Sequence, residues 1–141
     1  MSLTTDLFFY RVLRDSDVYD MTEGRIFNPA RTTIDEEQDR IPYVIITFES
    51  LENMVESKDD DVEGSEDRVV IGILCVAENR EALADLTIAV RDAVYGYYQD
   101  VAGEAYDGAP EEYTFSAREI QYDPSKPCCY QQLLYSCITL R

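Results

Sequence analysis

Two segments of the chain place their apolar residues at helical spacing. The first runs from about Thr4 to Arg14, and the second follows Asn79, a good helix N-cap, and extends to Gln99. Both therefore predict amphipathic helices, each with one apolar face for packing against the rest of the protein. The apolar stripe of the first helix is formed by Leu3, Leu7 and Tyr10 and is widened by Phe8, Val12 and Leu13. The stripe of the second helix is formed by Leu83, Leu86, Val90, Ala93, Val94 and Tyr97.

Four other segments are rich in strand-forming residues. They are Tyr43–Glu49, Arg68–Ala77, Tyr113–Tyr122 and Tyr130–Leu140, with approximate bounds. Both faces of the first strand are apolar, so we expect it to be covered on both sides, at least in part. Gly72 leaves a gap on one face of the second strand, where a helix would be able to approach closely. In the third strand the apolar residues change from odd-numbered to even-numbered positions, which indicates a β-bulge or bend.

The order of these elements predicts the fold class. A helix, a strand pair, a second helix and a second strand pair give the order α-β-β-α-β-β. Because the first two strands are joined as a long hairpin, we predict an α+β fold with a mostly antiparallel sheet and two helices packed on it. The length suits a single domain, residues 1–141.

The segments between these elements are polar. Asp15–Glu23 has no clear period, and Arg31–Arg40 has one clear hydrophobe, Ile34, so we expect the latter to be an exposed arm or loop. Ser50–Asp67 is predicted as a solvated acidic connector with a turn at Glu63–Gly64.

The charge of the chain excludes several classes of partner. There are 29 acidic and 12 basic residues, which gives a net charge of −17. Binding of phosphate backbones needs clustered Lys and Arg, so we expect no nucleic-acid binding. An anionic membrane surface would repel the chain for the same reason. Solubility is the simple explanation of this charge, and a surface that avoids DNA or meets a basic partner is the other.

The cysteines and the lack of histidine restrict the possible chemistry. Cys75 and Cys137 lie in apolar strands, and Cys128 and Cys129 are adjacent rather than in a CxxC spacing. A mixed Cys/His zinc site is excluded, and we predict reduced thiols in a cytoplasmic protein. No apolar run approaches the length of a membrane helix, and the N-terminus lacks the pattern of a secretory signal.

No set of residues fills the roles that a catalytic site needs, so we predict a non-enzyme without a cofactor or metal. Without His, neither a Ser–His nor a Cys–His pair exists, and the glycines form no phosphate-binding loop. The acidic run fails as a calcium loop, because aligning it on Asp59 puts Val70 where the bidentate Glu belongs. Tyr95–Tyr98 suit either an interface or a helix end lying partly on the sheet.

Three segments carry a resemblance to a known group of proteins. "GRIFNPARTT", "RIPYVIITFE" and "EDRVVIGILCVAENREALADLTIAVRDAV" occur in that order. Together they resemble the small phage tail proteins of the tail-terminator and tail-completion group. The resemblance covers about Leu3 to Tyr98, and the sequence departs from the group in its longer acidic hairpin and in Ala102–Glu112. The matching residues are Gly24, Arg25, Ile26, Pro42, Tyr43, Val44, Ala84, Asp85, Val90, Arg91 and Val94.

The resemblance implies a structural protein that assembles with itself. Members form rings, commonly hexamers, that cap the tail tube and join it to head-completion proteins, first in the host cytoplasm and then in the virion tail. The charged arm is then expected to contact a neighbouring subunit, and the acidic hairpin to line the bore or rim and repel DNA. The interface candidates are Arg31, Asp35, Glu36, Glu37 and Arg40, and the bore or rim candidates are Asp59, Asp60, Asp61, Glu63, Glu66 and Asp67.

A second function stays open on the sequence alone. A monomeric adaptor or inhibitor with this charge would use its acidic face to mimic nucleic acid or to bind a basic protein. Its oligomeric state distinguishes it from a ring-forming protein.

Overall fold

A computed structural model describes residues 2–28, 40–54, 66–99 and 106–140. In these residues the chain forms a short 3-10 turn at Ser2–Thr4, three α-helices and six strands. The helices are α1 (Thr5–Arg14), α2 (Asp17–Met21) and α3 (Arg80–Gln99). The strands are β1 (Ile26–Phe27), β2 (Tyr43–Met54), β3 (Glu66–Ala77), β4 (Glu112–Ala117), β5 (Gln121–Asp123) and β6 (Cys128–Leu140).

The six strands form one mostly antiparallel sheet, so the predicted α+β class is confirmed. The spatial order is β1-β2-β3-β6-β4, and β5 also pairs with β6. The predicted β2–β3 hairpin is present, with Val44 opposite Cys75 and Phe48 opposite Ile71. Only β1 runs parallel to its neighbour, pairing Ile26 with Val44.

The helices cover one face of the sheet. Alternate residues of β3 from Val69 to Ala77 point to that face and are fully buried, as are Leu83, Leu86, Val90 and Val94 on α3. This stripe of α3 is the one predicted from the sequence. The opposite face, which carries Ile45 and Leu74, is half-buried and has no described helix over it. Within the described residues the first strand is therefore fully covered on one face and partly covered on the other, as predicted.

The predicted order of elements lacks two short elements, helix α2 and strand β1. Helix α2 buries one apolar side chain, Val18, so it has no apolar period to recognise. It begins at a local signal instead, since the Ser16 hydroxyl accepts a hydrogen bond from the Val18 N–H at 3.2 Å. The two-residue β1 is held by its pairing with β2, which residue-by-residue patterns do not reveal.

The hairpin strands extend further than predicted. Strand β2 continues to Met54 and β3 begins at Glu66, so the segments taken as the two ends of an acidic connector are paired strand. A register shift between Phe48 and Ser50 places Glu49 as an extra residue in β2. The rest of the connector, with its predicted turn at Glu63–Gly64, lies outside the described residues.

The predicted irregularity near the end of the chain is confirmed. Strand β4 pairs Ala117 with Leu133, whereas β5 pairs Gln121 with Tyr130. Three residues on one side therefore face two on the other, so one strand carries one extra residue, as in a bulge. The bulge explains why the apolar parity changes between the two strands.

Polar side chains, and not a helix, fill the gap at Gly72. A Cβ added there would meet the Glu49 Oε1 at 2.5 Å and the Gln132 Nε2 at 2.7 Å. The Gln132 amide donates a hydrogen bond to that Glu49 oxygen at 2.6 Å, and the Thr47 hydroxyl donates to it at 3.1 Å. The glycine thus makes room for a hydrogen-bonded bridge across three strands on the face without a described helix.

Candidate assembly surface

The structure brings together two of the segments on which the family resemblance rests. Gly24 has a positive φ of 82° and turns the chain from α2 into β1. The neighbouring Arg25 carbonyl accepts a hydrogen bond from the Val44 N–H at 3.0 Å. Ile26 then pairs with Val44. These motif residues therefore build the β1–β2 junction and fix where β2 begins.

Arg25 ties this junction with its side chain. Its Nε donates to the Pro42 carbonyl at 3.1 Å, and its Nη1 forms an ion pair with the Glu23 carboxylate at 3.0 Å. The arginine is 7% exposed, so its charge needs these oxygen partners. Among the described residues, the polar contacts of this motif residue lie within the junction, where it stabilises the fold.

The motif residues of α3 divide between core and surface. Val90 and Val94 are fully buried, whereas Ala84 and Asp85 are exposed. The Arg91 guanidinium lies 4.4 Å from the centre of the Phe115 ring, a cation–π contact between α3 and β4. Helix α3 is thus anchored beside the last strand of the sheet.

Of the predicted charged interface residues, the structure describes Arg40. Arg40 is exposed just before β2. Arg31, Asp35, Glu36 and Glu37 lie outside the described residues.

Two of the predicted acidic rim residues, Glu66 and Asp67, lie in the described part of the chain, and they differ in exposure. Glu66 is exposed at the start of β3. Asp67 is 7% exposed and accepts a hydrogen bond from the Asn53 amide at 2.8 Å, so its carboxylate is turned into the hairpin rather than toward a bore. Asp59, Asp60, Asp61 and Glu63 lie outside the described residues.

Strand β4 forms one edge of the sheet, next to a groove that was not predicted from the sequence. Its far edge pairs with no other described strand. A groove of about 300 Å³ lies between this strand and α3. Two large side chains of α3 flank it, Ile88 at 55% exposure and Tyr95 at 61%. The available signal was their position outside the buried stripe of α3, since apolar residues on a polar helix face are candidates for contacts.

The opposite edge of the sheet is also partly open. Strand β1 covers only Val44 and Ile45 of β2, so within the described residues the outer edge of β2 from Ile46 to Met54 pairs with no strand. Leu51 lies on this stretch and is 41% exposed. Among the described residues, each end of the sheet thus has a strand edge that no other strand fully covers, beside an exposed apolar side chain.

The tyrosines at the end of α3 differ in exposure, and the packed ones fit the predicted helix end lying partly on the sheet. Tyr97 and Tyr98 are half-buried in an aromatic cluster, with ring centres 4.9 Å from Phe8 and 5.5 Å from Tyr113, respectively. The Tyr98 hydroxyl donates to the Pro110 carbonyl at 2.8 Å. Tyr95 instead points outward at the edge described above.

The buried thiols in the described part of the chain are not activated. Burial raises the pKa of the Cys75 thiol to about 12, and that of the Cys137 thiol to about 12. Both thiols are therefore protonated and unreactive at neutral pH. All four cysteines are free, and no group of Cys, Asp and Glu suited to a metal ion is found in the described ranges.

None of the helices in the described part of the chain has the length and apolar character needed to cross a bilayer.

Comparison with known proteins gives a match at the level of structure. No protein-family model matches the chain, and no curated protein matches it either. Among solved structures, a chain from the virion of a native gene transfer agent particle superimposes with a TM-score of 0.64. The match covers 94% of this chain and 92% of that chain at 12% sequence identity. At this identity, the protein is shown to share the fold of that virion chain.

Proposed function

We propose that this protein is a structural component of a phage or phage-like particle. More specifically, it acts as a ring-forming tail-terminator or tail-completion protein, which caps the tail tube and joins it to the head-completion proteins. It assembles in the cytoplasm of the bacterial host and remains in the virion tail. Its work is done by surfaces that bind other copies and other virion proteins, without a catalytic step.

The observation that carries the proposal is the structural match to the virion chain over 94% of this protein. The ordered resemblance to tail-terminator proteins supports it independently, because the matched residues lie at the β1–β2 junction and on α3. Two sheet edges without a full strand partner in the described part of the chain support self-assembly, since such edges favour pairing with another chain.

The charge fits the same role. In a ring with Asp59, Asp60, Asp61, Glu63 and Glu66 toward the bore, carboxylates would repel DNA phosphates and let the genome pass without binding. Asp67 is not part of this proposed rim, because its carboxylate is buried against Asn53.

Deleting the coding sequence from the host tests the proposal. We expect electron microscopy to show heads and tails that fail to join, or tails of irregular length, and a copy supplied in trans to restore joined particles. Particles of normal form in the deletion strain would contradict the proposal. A purified protein that stays monomeric and binds a basic host protein would support the acidic adaptor instead.

A further inference from the structure

We propose that the outer edge of β4 pairs with the outer edge of β2 in a second copy of this chain, so that one sheet continues from copy to copy; neither edge has a strand partner among the described residues, apart from the short β1 on β2. The inference rests on the proposed self-assembly, since it names the contact through which the copies associate. Four observations support it: the edge of β4, the helix beside it, the matching edge of β2 and the directions of the strands.

Strand β4 offers an unprotected edge. Proteins commonly block exposed edges with Lys, Pro or bulges, and Glu112–Ala117 contains neither Lys nor Pro and pairs with β6 without a break in register. The Arg118 N–H donates to the Gln132 carbonyl at 2.9 Å. Because successive backbone amides alternate between the two sides of a strand, the N–H of Ala117 points away from β6. An added strand would find this donor available.

Helix α3 extends the apolar layer beyond β4. Ile88 and Tyr95 are seven positions apart, so they lie on one side of the helix, and both line the groove beside β4. Alternate side chains of a strand placed next to β4 would point into this groove. The site therefore combines backbone hydrogen bonds with a place for apolar side chains, as in strand-addition sites generally.

The outer edge of β2 supplies matching side chains. Phe48 and Leu51 lie opposite Ile71 and Val69 of β3, whose side chains are fully buried beneath the helices. Phe48 and Leu51 therefore point to the helix-covered side of the sheet. When two copies meet edge to edge, Leu51 of one copy reaches the layer that holds Ile88 and Tyr95 of the other, and exposed apolar surface is covered on both.

The strand directions suit this arrangement. From β2 through β3 and β6 to β4 every neighbour is antiparallel, so β4 runs opposite to β2. A second copy rotated about an axis parallel to the strands therefore presents its β2 antiparallel to β4. The contact is head-to-tail, because β4 and β2 are different surfaces, and repeating it closes a ring or continues as a filament.

Edge-blocking variants test the contact in the full-length protein. Ala117→Pro removes an outward N–H at an exposed position of β4, and Ala117→Val is the matched control that keeps the N–H. Leu51→Glu blocks the β2 edge, and Leu3→Glu is its control, since Leu3 is 76% exposed and lies on neither edge. Ile88→Glu also blocks the β4 side, at an exposed position of α3. It replaces Ala117→Pro if the proline prevents folding.

Analytical ultracentrifugation of each variant, alone and mixed, gives the readout. We expect wild type and both controls to assemble, and Ala117→Pro, Ile88→Glu and Leu51→Glu each to be monomeric alone. A mixture of Leu51→Glu with either β4-side variant should form a one-to-one dimer and stop, because only one good pair of edges remains. The Ala117 amide should also exchange hydrogen more slowly in assembled wild type than in the monomer.

Two results would overturn the inference. One is assembly of the edge variants to the same size as wild type, and the other is wild type that stays monomeric up to millimolar concentration. Neither decides the proposed function, which is judged by the particles of the deletion strain. Normal particles there would reject the function even if the edges pair in solution.

Discussion

At the level of single residues, the glycines of this fold differ in how well they tolerate a side chain. Gly72 and Gly108 show the contrast. The space above Gly72 is filled by the ends of side chains, whereas a Cβ on Gly108 would meet the Thr4 carbonyl oxygen at 2.5 Å and its carbon at 2.8 Å. Gly108 also has a positive φ of 82°, which other residues rarely adopt.

We therefore expect Gly108→Ala to destabilise the protein much more than Gly72→Ala. The backbone conformation alone costs an alanine about 1–2 kcal/mol at position 108. At position 72, moving side-chain ends is offset by the roughly 0.5–1 kcal/mol gained when alanine replaces glycine in a strand. Urea unfolding of both variants measures the difference, and equal losses of free energy would contradict it.

The buried thiols predict a loss of stability at alkaline pH. In the unfolded chain Cys75 and Cys137 ionise near their ordinary pKa of 9.0, whereas burial raises the pKa of each to about 12 in the folded protein. Their contribution is complete below pH 9 and is lost as the pH rises toward 12, because only the unfolded state releases the protons. Each thiol lowers the free energy of unfolding by about 1.4 kcal/mol per pH unit above 9.

Urea unfolding between pH 7 and pH 10 checks this slope. The interval stays at or below the ordinary pKa of tyrosine, which limits the contribution of the buried Tyr98 and Tyr135, whose pKa values burial also raises. Cys75→Ala, although less stable overall, should show a shallower loss above pH 9. An identical slope in wild type and variant would show that the thiol does not contribute.

At the scale of elements, periodicity predicts the long pieces and local pairing decides the short ones. Helix α3 was predicted almost to the residue, and the apolar body of strand β3 was predicted up to its end at Ala77, because each has a long apolar pattern against one covered face. Helix α2 was missed because it buries only Val18, and β1 because two residues carry no period. The ends of β2 and β3 were misjudged since polar residues such as Asn53 and Asp67 pair with each other there.

The candidate surface could be predicted from the sequence only in part. Open edges are a property of strand order, which one sequence does not specify, so the β4 edge and its groove were not predicted. Ile88 and Tyr95 were visible as apolar residues outside the buried stripe, but their meaning depends on where α3 lies. The charged arm was identified by composition, although only Arg40 of its candidates lies in the described residues.

The β1–β2 junction should depend on Arg25. Arg25→Ala removes the hydrogen bond to the Pro42 carbonyl, and hydrogen bonds from charged groups contribute about 1.5–3 kcal/mol, so we expect a loss of this size in the free energy of unfolding. The control is Arg14→Ala on the exposed side of α1, which should change stability by less than about 0.5 kcal/mol. Similar effects of the two substitutions would show that the junction is not held by Arg25.

At the scale of the whole molecule, the net charge of −17 opposes association of copies. Contacts made by backbone pairing and apolar side chains are little affected by screening, whereas repulsion between the copies is reduced by it. Assembly through the β2 and β4 edges should therefore tighten as salt is added. Assembly held by opposite charges of the arm Arg31–Arg40 should loosen instead.

Sedimentation at low and high sodium chloride distinguishes the two contacts. We expect the assembled fraction of wild type to rise with salt, and Arg40→Ala to behave as wild type does. Dissociation of the assembly at high salt would assign the main contact to the charged arm and not to the sheet edges.

Cryo-electron microscopy of particles from the host would show whether the protein works in a virion by binding copies of itself. We expect a closed ring of this fold at the end of the tail tube, with β4 of each copy beside β2 of the next. Well-resolved tail ends and necks that lack this fold, or that hold it as isolated copies without contact between them, would contradict it.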